Sequence, residues 1–232
     1  MTGTASPNRE GTGNISLLIR ANHGHIGAMT SSTRQPMFNA PPWSLRLAGL
    51  LLLIHLAFFL MPDDLANTIG SVLVFVPAAL DAGIPYYWTL LTYALIHADV
   101  VHVGFNAALL LALGSYVERT VGGTLFLLIF SLCAIGGALA FWVLSGNGVM
   151  LGASGGVDGL MGAAAVLLYR NRDADPRARM MMVMVCIVVV MNLLMAFSGG
   201  TGVAWQAHLG GLFCGLVYGY AVQNRAPRGI IR

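Results

Sequence analysis

Charge is what this sequence has least of. Only 9% of its 232 residues are charged while 57% are hydrophobic, a balance that excludes a soluble globular domain and fits a polytopic membrane protein. Lysine is missing altogether, so the net charge of +3 rests on arginine. The three cysteines, Cys133, Cys186 and Cys214, form no CxxC pair and lie in separate apolar runs. They read as small packing residues, which leaves neither a disulfide framework nor a zinc site to expect. Residues 1–42 lack any long apolar run and are rich in Ser, Thr, Asn, Gly and Pro. That composition predicts a disordered cytoplasmic arm and not a cleavable signal. A membrane domain over 43–222 and a short cytoplasmic tail over 223–232 complete the expected organisation.

What is present is apolar length. Five runs are long enough to span a bilayer, at 43–61, 100–117, 124–144, 179–197 and 204–222. A sixth, Ser154 to Tyr169, is shorter and rich in Gly and Ala, but the arginines that follow it mark it as another span. All twelve arginines fall on one side of the membrane under this assignment, before or at the start of the first span or after the second, fourth and sixth. The other side carries Asp63, Asp64 and Asp81 and no basic residue. By the positive-inside rule both termini are cytoplasmic. The basic balance is a topology signal, and no nucleic-acid partner is expected.

Counting back from those arginines measures depth. Ser154 lies 16 residues before Arg170, His208 lies 17 before Arg225, and His102 lies 17 before Arg119. At about 1.5 Å per residue all three sit roughly 24–26 Å above the cytoplasmic boundary. A helix that starts at Ser154 therefore starts inside the hydrocarbon layer, and the connection Ser145 to Ala153 must dip in to reach it. Irregular backbone at that depth needs protein around it or a water-filled cavity. The sequence implies a wet recess with Ser154 near its floor. Gly155, Gly159 and Gly162 on one span, and Gly211, Gly215 and Gly219 on another, allow the close helix approach that brings Ser154 towards His208. The same glycines serve bundle packing equally well.

The polar groups at this level suit acyl transfer. A serine hydroxyl needs a base, and neutral histidine is the usual one. Ser154 opens a helix, where unpaired N–H groups and the positive dipole end favour developing negative charge. His102 and Asn106, four apart on one helix face, offer donors for an oxyanion hole. Asp158 projects one turn below Ser154, where it either accepts from the far nitrogen of His208 or fills space as a protonated or otherwise paired carboxyl. His97, five before His102 and so about 140° round a helix, is badly placed to share a metal with it. His55 has no polar company and reads as structural. Each group taken singly is also compatible with a plain interhelical hydrogen bond.

These residues resemble the rhomboid intramembrane serine proteases. "HADVVHVGFN" (97–106) is similar to that family's His-rich second span, "GASG" (152–155) to its GxSG motif, and "AHLGGLFCG" (207–215) to its AHxxGxxxG motif. The resemblance covers about residues 43–222 and implies an all-α bundle of six transmembrane helices in the bacterial inner membrane. It implies Ser154 as nucleophile and His208 as general base. It gives the oxyanion to His102, Asn106 and the Ser154 N–H, with no cofactor or metal. It also implies substrates that are single-span membrane proteins, and a lateral gate at the Met-rich fifth span. Two positions depart from the pattern. Thr89 follows Trp88 where the family has arginine, which bears on how the outer loop 62–96 is anchored, and Asp158 stands where several relatives carry an aromatic ring. The rival readings are a proteolytically silent rhomboid-like protein that binds membrane helices, and a polar-path transporter. Spans two, four and six are almost wholly apolar below Asn106 and Asp158, which argues against conduction.

Overall fold

The computed structural model describes residues 1–3, 40–145, 147–171, 176–197 and 204–224. Residues 4–39 of the expected arm (1–42) and residues 225–232 of the expected tail (223–232) lie outside the described residues, together with their arginines. The chain divides at Asn39/Ala40, and every helix below belongs to the second unit.

That unit is a helical bundle. Its long helices are α1 (Pro42–Leu60) and, after the short outer helices α2 (Asp63–Ser71), α3 (Pro77–Asp81) and α4 (Thr89–Thr92), α5 (Val100–Val121), α6 (Gly123–Ser145), α7 (Ser154–Asn171), α8 (Pro176–Phe197) and α9 (Trp205–Val222). Among the described residues the only β pairing is a single bridge between Phe75 and Met150. Helices α1, α5 and α6 are long and apolar enough to cross a membrane, and α7, α8 and α9 lie at the other three positions where spans are expected. Leu52, Leu53, Leu56 and Phe59 on α1 are exposed. An apolar surface of that kind suits lipid and not water.

The centre of the bundle is α7, buried without a break from Gly155 to Ala164. Glycine makes this possible. A Cβ on Gly211 would overlap the Gly155 carbonyl oxygen, and one on Gly215 would overlap that of Gly159. Helix α6 closes in by the same device, since a Cβ on Gly137 would lie 2.8 Å from the Ala207 carbonyl oxygen and one on Gly210 2.8 Å from that of Gly136. At the end of α7 away from Ser154, Arg170 donates to the Gln223 carbonyl and to Asn224 Oδ1 just past α9.

Two features depart from the sequence reading. The second span does not stop near 117; α5 runs to Val121 through a π turn at Leu110–Gly114. Beyond that turn Glu118 faces the start of α1, where Pro41 offers no side-chain cap, and accepts the N–H groups of Trp43 (3.0 Å) and Ser44 (2.7 Å). A carboxylate from another helix thus satisfies donors left open by α1's own sequence. The outer segment 62–96 is also more ordered than a loop. Trp88 Nε1 donates to the Val72 carbonyl (2.7 Å), Thr92 Oγ1 to that of Leu73 (2.8 Å), and Trp142 Nε1 of α6 to Asp81 Oδ1 (2.9 Å). Thr89, in the arginine's place, is buried and donates to the Tyr86 carbonyl at 2.5 Å.

The glycine contacts make a testable distinction. Gly215→Ala sets a methyl group against rigid backbone, so it is expected to destabilise by about 1–3 kcal/mol, the usual range for overpacking. Gly49→Ala on α1, where nothing lies within 4 Å, should leave the unfolding temperature in detergent unchanged or raised. Equal losses for the two variants would contradict the packing account.

Candidate active site

Helix α7 begins at Ser154, and what fixes that serine is the short connection before it. Met150 donates to the Phe75 carbonyl (2.8 Å) and accepts from the Phe75 N–H (3.0 Å). Gly152 N–H donates to the Tyr93 carbonyl (3.0 Å), and Ala153 N–H to His97 Nε2 (3.2 Å). Consecutive anchors on the outer segment thus set the entry angle of the chain into α7. Gly152 is required twice over. Its φ of +111° is left-handed, and a Cβ there would lie 2.6 Å from His102 Cε1. Tyr93 is itself immobilised, buried and donating its hydroxyl to the Ala134 carbonyl at 2.8 Å.

His97 lies outside α5, which starts at Val100. The helical angle counted between His97 and His102 therefore does not apply, and the two rings meet edge-on with centroids 5.0 Å apart. Because Nε2 of His97 accepts from Ala153, the neutral ring carries its proton on Nδ1. Asp99 caps α5, accepting the His102 N–H through Oδ1 at 2.8 Å. That N–H holds the exposed carboxyl below the usual carboxylate range.

His102, Ser154 and His208 line one cavity of about 420 Å³, together with Tyr93, Asp99 and Met150. His208 sits in the first turn of α9, and its Nδ1 lies 2.5 Å from Oδ2 of Asp158, which is only 3% exposed. The other ring nitrogen, Nε2, is left for the cavity side. Asn106 is buried one turn below His102, donating Nδ2 to the His102 carbonyl (2.9 Å), and does not line the cavity. A hydroxyl at a helix start, an imidazole backed by a carboxylate and a second imidazole around one space can carry out acyl transfer.

Sequence reasoning passed over three of these groups. His97 was considered as a metal ligand and not as an acceptor for Ala153; Tyr93 was not singled out; Asp99 was not weighed, although an Asp just before an apolar run is a recognised helix-start signal. The anchoring role of His97 is checked by hydrogen exchange. His97→Ala should speed exchange of the Ala153 amide by about tenfold, the loss of one typical hydrogen bond, while amides in the middle of α6 remain as protected as before.

Comparison with known proteins bears on this arrangement. Residues 85–225, which contain every group of this site except Phe75, match the Rhomboid domain. The chain is 34% identical over 119 residues to "Rhomboid protease GluP" of Bacillus subtilis (strain 168), covering 50% of this chain and 23% of that protein. It is 35% identical over 137 residues to "Rhomboid-like protease 1" of Toxoplasma gondii, covering 57% and 46%. It is 30% identical over 140 residues to "Rhomboid-related protein 3" of Homo sapiens, covering 56% and 33%. The matches thus span less than half the length of each of these relatives. With a matching domain over more than half of its residues and apolar helices to carry it, this multi-pass membrane protein belongs to the rhomboid family.

Proposed function

We propose that the chain is an intramembrane serine endopeptidase that crosses the bacterial inner membrane six times, with its arm, tail and both termini in the cytoplasm. Its substrates are single-span membrane proteins, cut near the outer end of their transmembrane helix. The observation that carries this reading is the shared cavity of Ser154, His102 and His208, with Asp158 on the far side of the His208 ring. Topology is supported by Arg46 near the start of α1, Arg119 near the end of α5 and Arg170 near the end of α7, all at one end of the bundle. Relatives named as proteases add to it.

The mechanism follows from the geometry. His208 Nε2 takes the proton from Ser154 Oγ as Oγ bonds to the substrate's carbonyl carbon. The carbonyl π electrons move to oxygen, and that oxyanion is met by the N–H of Ser154, by His102 and by the amide of Asn106 once it turns from the His102 carbonyl. The imidazolium then faces Asp158 through Nδ1–H, which orients the ring and offsets its charge. It gives the Nε2 proton to the departing amide nitrogen as the C–N bond breaks. Water, deprotonated by the same nitrogen, then bonds to the acyl carbon, and the C–Oγ bond breaks as Nε2 returns the proton to Ser154 Oγ. A membrane helix must unwind locally to present its carbonyl, so small or helix-breaking residues are expected at the cut.

Ser154→Ala and His208→Ala are each expected to abolish cleavage of a single-span substrate in proteoliposomes, with the double variant no worse than either single one, since members of such a pair act as a unit. Labelling of Ser154 by a serine-directed probe separates this reading from a silent helix-binding protein. A single variant that keeps a large share of wild-type turnover removes the dyad.

Asp158→Asn replaces the carboxylate on the His208 Nδ1 side with a neutral group of the same size. Losing a charged hydrogen bond worth about 1.5–3 kcal/mol predicts a fall in kcat of roughly tenfold to a hundredfold, with KM little changed. Asp158→Asn turning over at the wild-type rate would mean that Asp158 only fills space.

A further inference from the structure

Asp99 is the charged side chain among the residues that line the cavity, and nothing in the mechanism uses it. It is exposed, and its Oδ1 caps α5 through the His102 N–H. The polar side chains that share the cavity lining with it are those of Tyr93, His102, Ser154 and His208, none of which brings a permanent positive charge. The outer segments 61–99, 146–153 and 198–204 contain no Lys or Arg, and Asp63, Asp64 and Asp81 add charge of the same sign. An acid without a protein cation therefore opens onto the space where a peptide bond is to be cut.

That placement has a cost in the reaction. A carboxylate sharing the cavity with a developing oxyanion repels it, and a cation between or beside them cancels the repulsion. Among the described lining residues the protein brings only the transient His208 imidazolium, which already faces Asp158, so a permanent cation has to arrive with the substrate. We propose that Asp99 determines specificity, selecting transmembrane substrates with a lysine or arginine within about three residues of the bond cut, the stretch of extended chain such a cavity admits at roughly 3.4 Å per residue. The inference rests on the protease reading for its substrate class. Its ground-state part, the attraction of the Asp99 carboxylate for a basic side chain, does not depend on turnover. The acid-only outer face draws the same side chains towards the cavity mouth, an effect that salt weakens.

The test uses single-span peptides identical except for Lys, Gln or Glu at each position within three residues of the bond. Two quantities are read for each: kcat/KM with the wild-type protein, and affinity for Ser154→Ala, which binds without cutting. At one or more positions Lys should exceed Gln, and Gln exceed Glu, by about tenfold per step, the size of a unit-charge interaction across a partly hydrated gap. Asp99→Asn, introduced alone and on the Ser154→Ala background, keeps a good helix cap and should bring the three peptides within about twofold of each other. Equal values for Lys, Gln and Glu in the wild-type protein overturn the proposal without any variant, as does a preference that survives Asp99→Asn. If no peptide is cut but affinity is still graded through Asp99, the protease reading falls and the cation site stands.

Discussion

Everything in this bundle depends on how closely α7 and α9 approach. Their backbones touch where Gly155 meets Gly211 and Gly159 meets Gly215, contacts that no residue with a Cβ could make. Van der Waals packing of this kind is the main attraction between helices once lipid has removed the hydrophobic driving force. The closeness also has a chemical result. Asp158 and His208 stand 50 residues apart in sequence, yet their side chains meet at 2.5 Å because the helices that bear them are in backbone contact. Separating the helices by one methyl group would put the polar pair out of hydrogen-bond range.

The second constraint lies above the bundle. Ser154 has a defined position only because the connection before it is tied, residue by residue, to Phe75, Tyr93 and His97. The outer segment is in turn held by Trp88, Thr92 and the Asp81–Trp142 bond. This is irregular backbone whose polar groups are satisfied by protein, the condition under which such structure survives at membrane depth. The segment is held here without an arginine at position 89. Several modest hydrogen bonds distributed along the segment do the anchoring, and Thr89 has only to close the local turn.

Much of this was legible in the sequence, and what was not has physical reasons. Apolar runs placed the six long helices to within a few residues, because hydropathy and length dominate there. Depth counted from the arginines put His102, Ser154 and His208 on one level, and the three line one cavity. The count failed for His97, since a helical angle has meaning only inside a helix and α5 starts three residues later. The π turn in α5 was invisible for a related reason: it is a response to neighbours, seated where a Cβ on Gly114 would come within 2.9 Å of Phe126. The partner of Glu118 lies at the far end of another helix, beyond the reach of any local pattern.

The two carboxylates near the cavity are treated in opposite ways, and that contrast orders the site. Asp158 is 3% exposed, so its carboxyl needs a polar partner in contact, and the His208 ring supplies one. Asp99 is exposed at the mouth, where water meets most of the desolvation cost and a backbone N–H suffices to hold it ionised. In the proposed mechanism the buried acid therefore acts through the histidine that it touches and has little reach beyond it. The exposed one acts on whatever enters. On the proposed reading, a field neutralised behind the base and left open in front of it would discriminate between incoming chains without changing how the base is oriented.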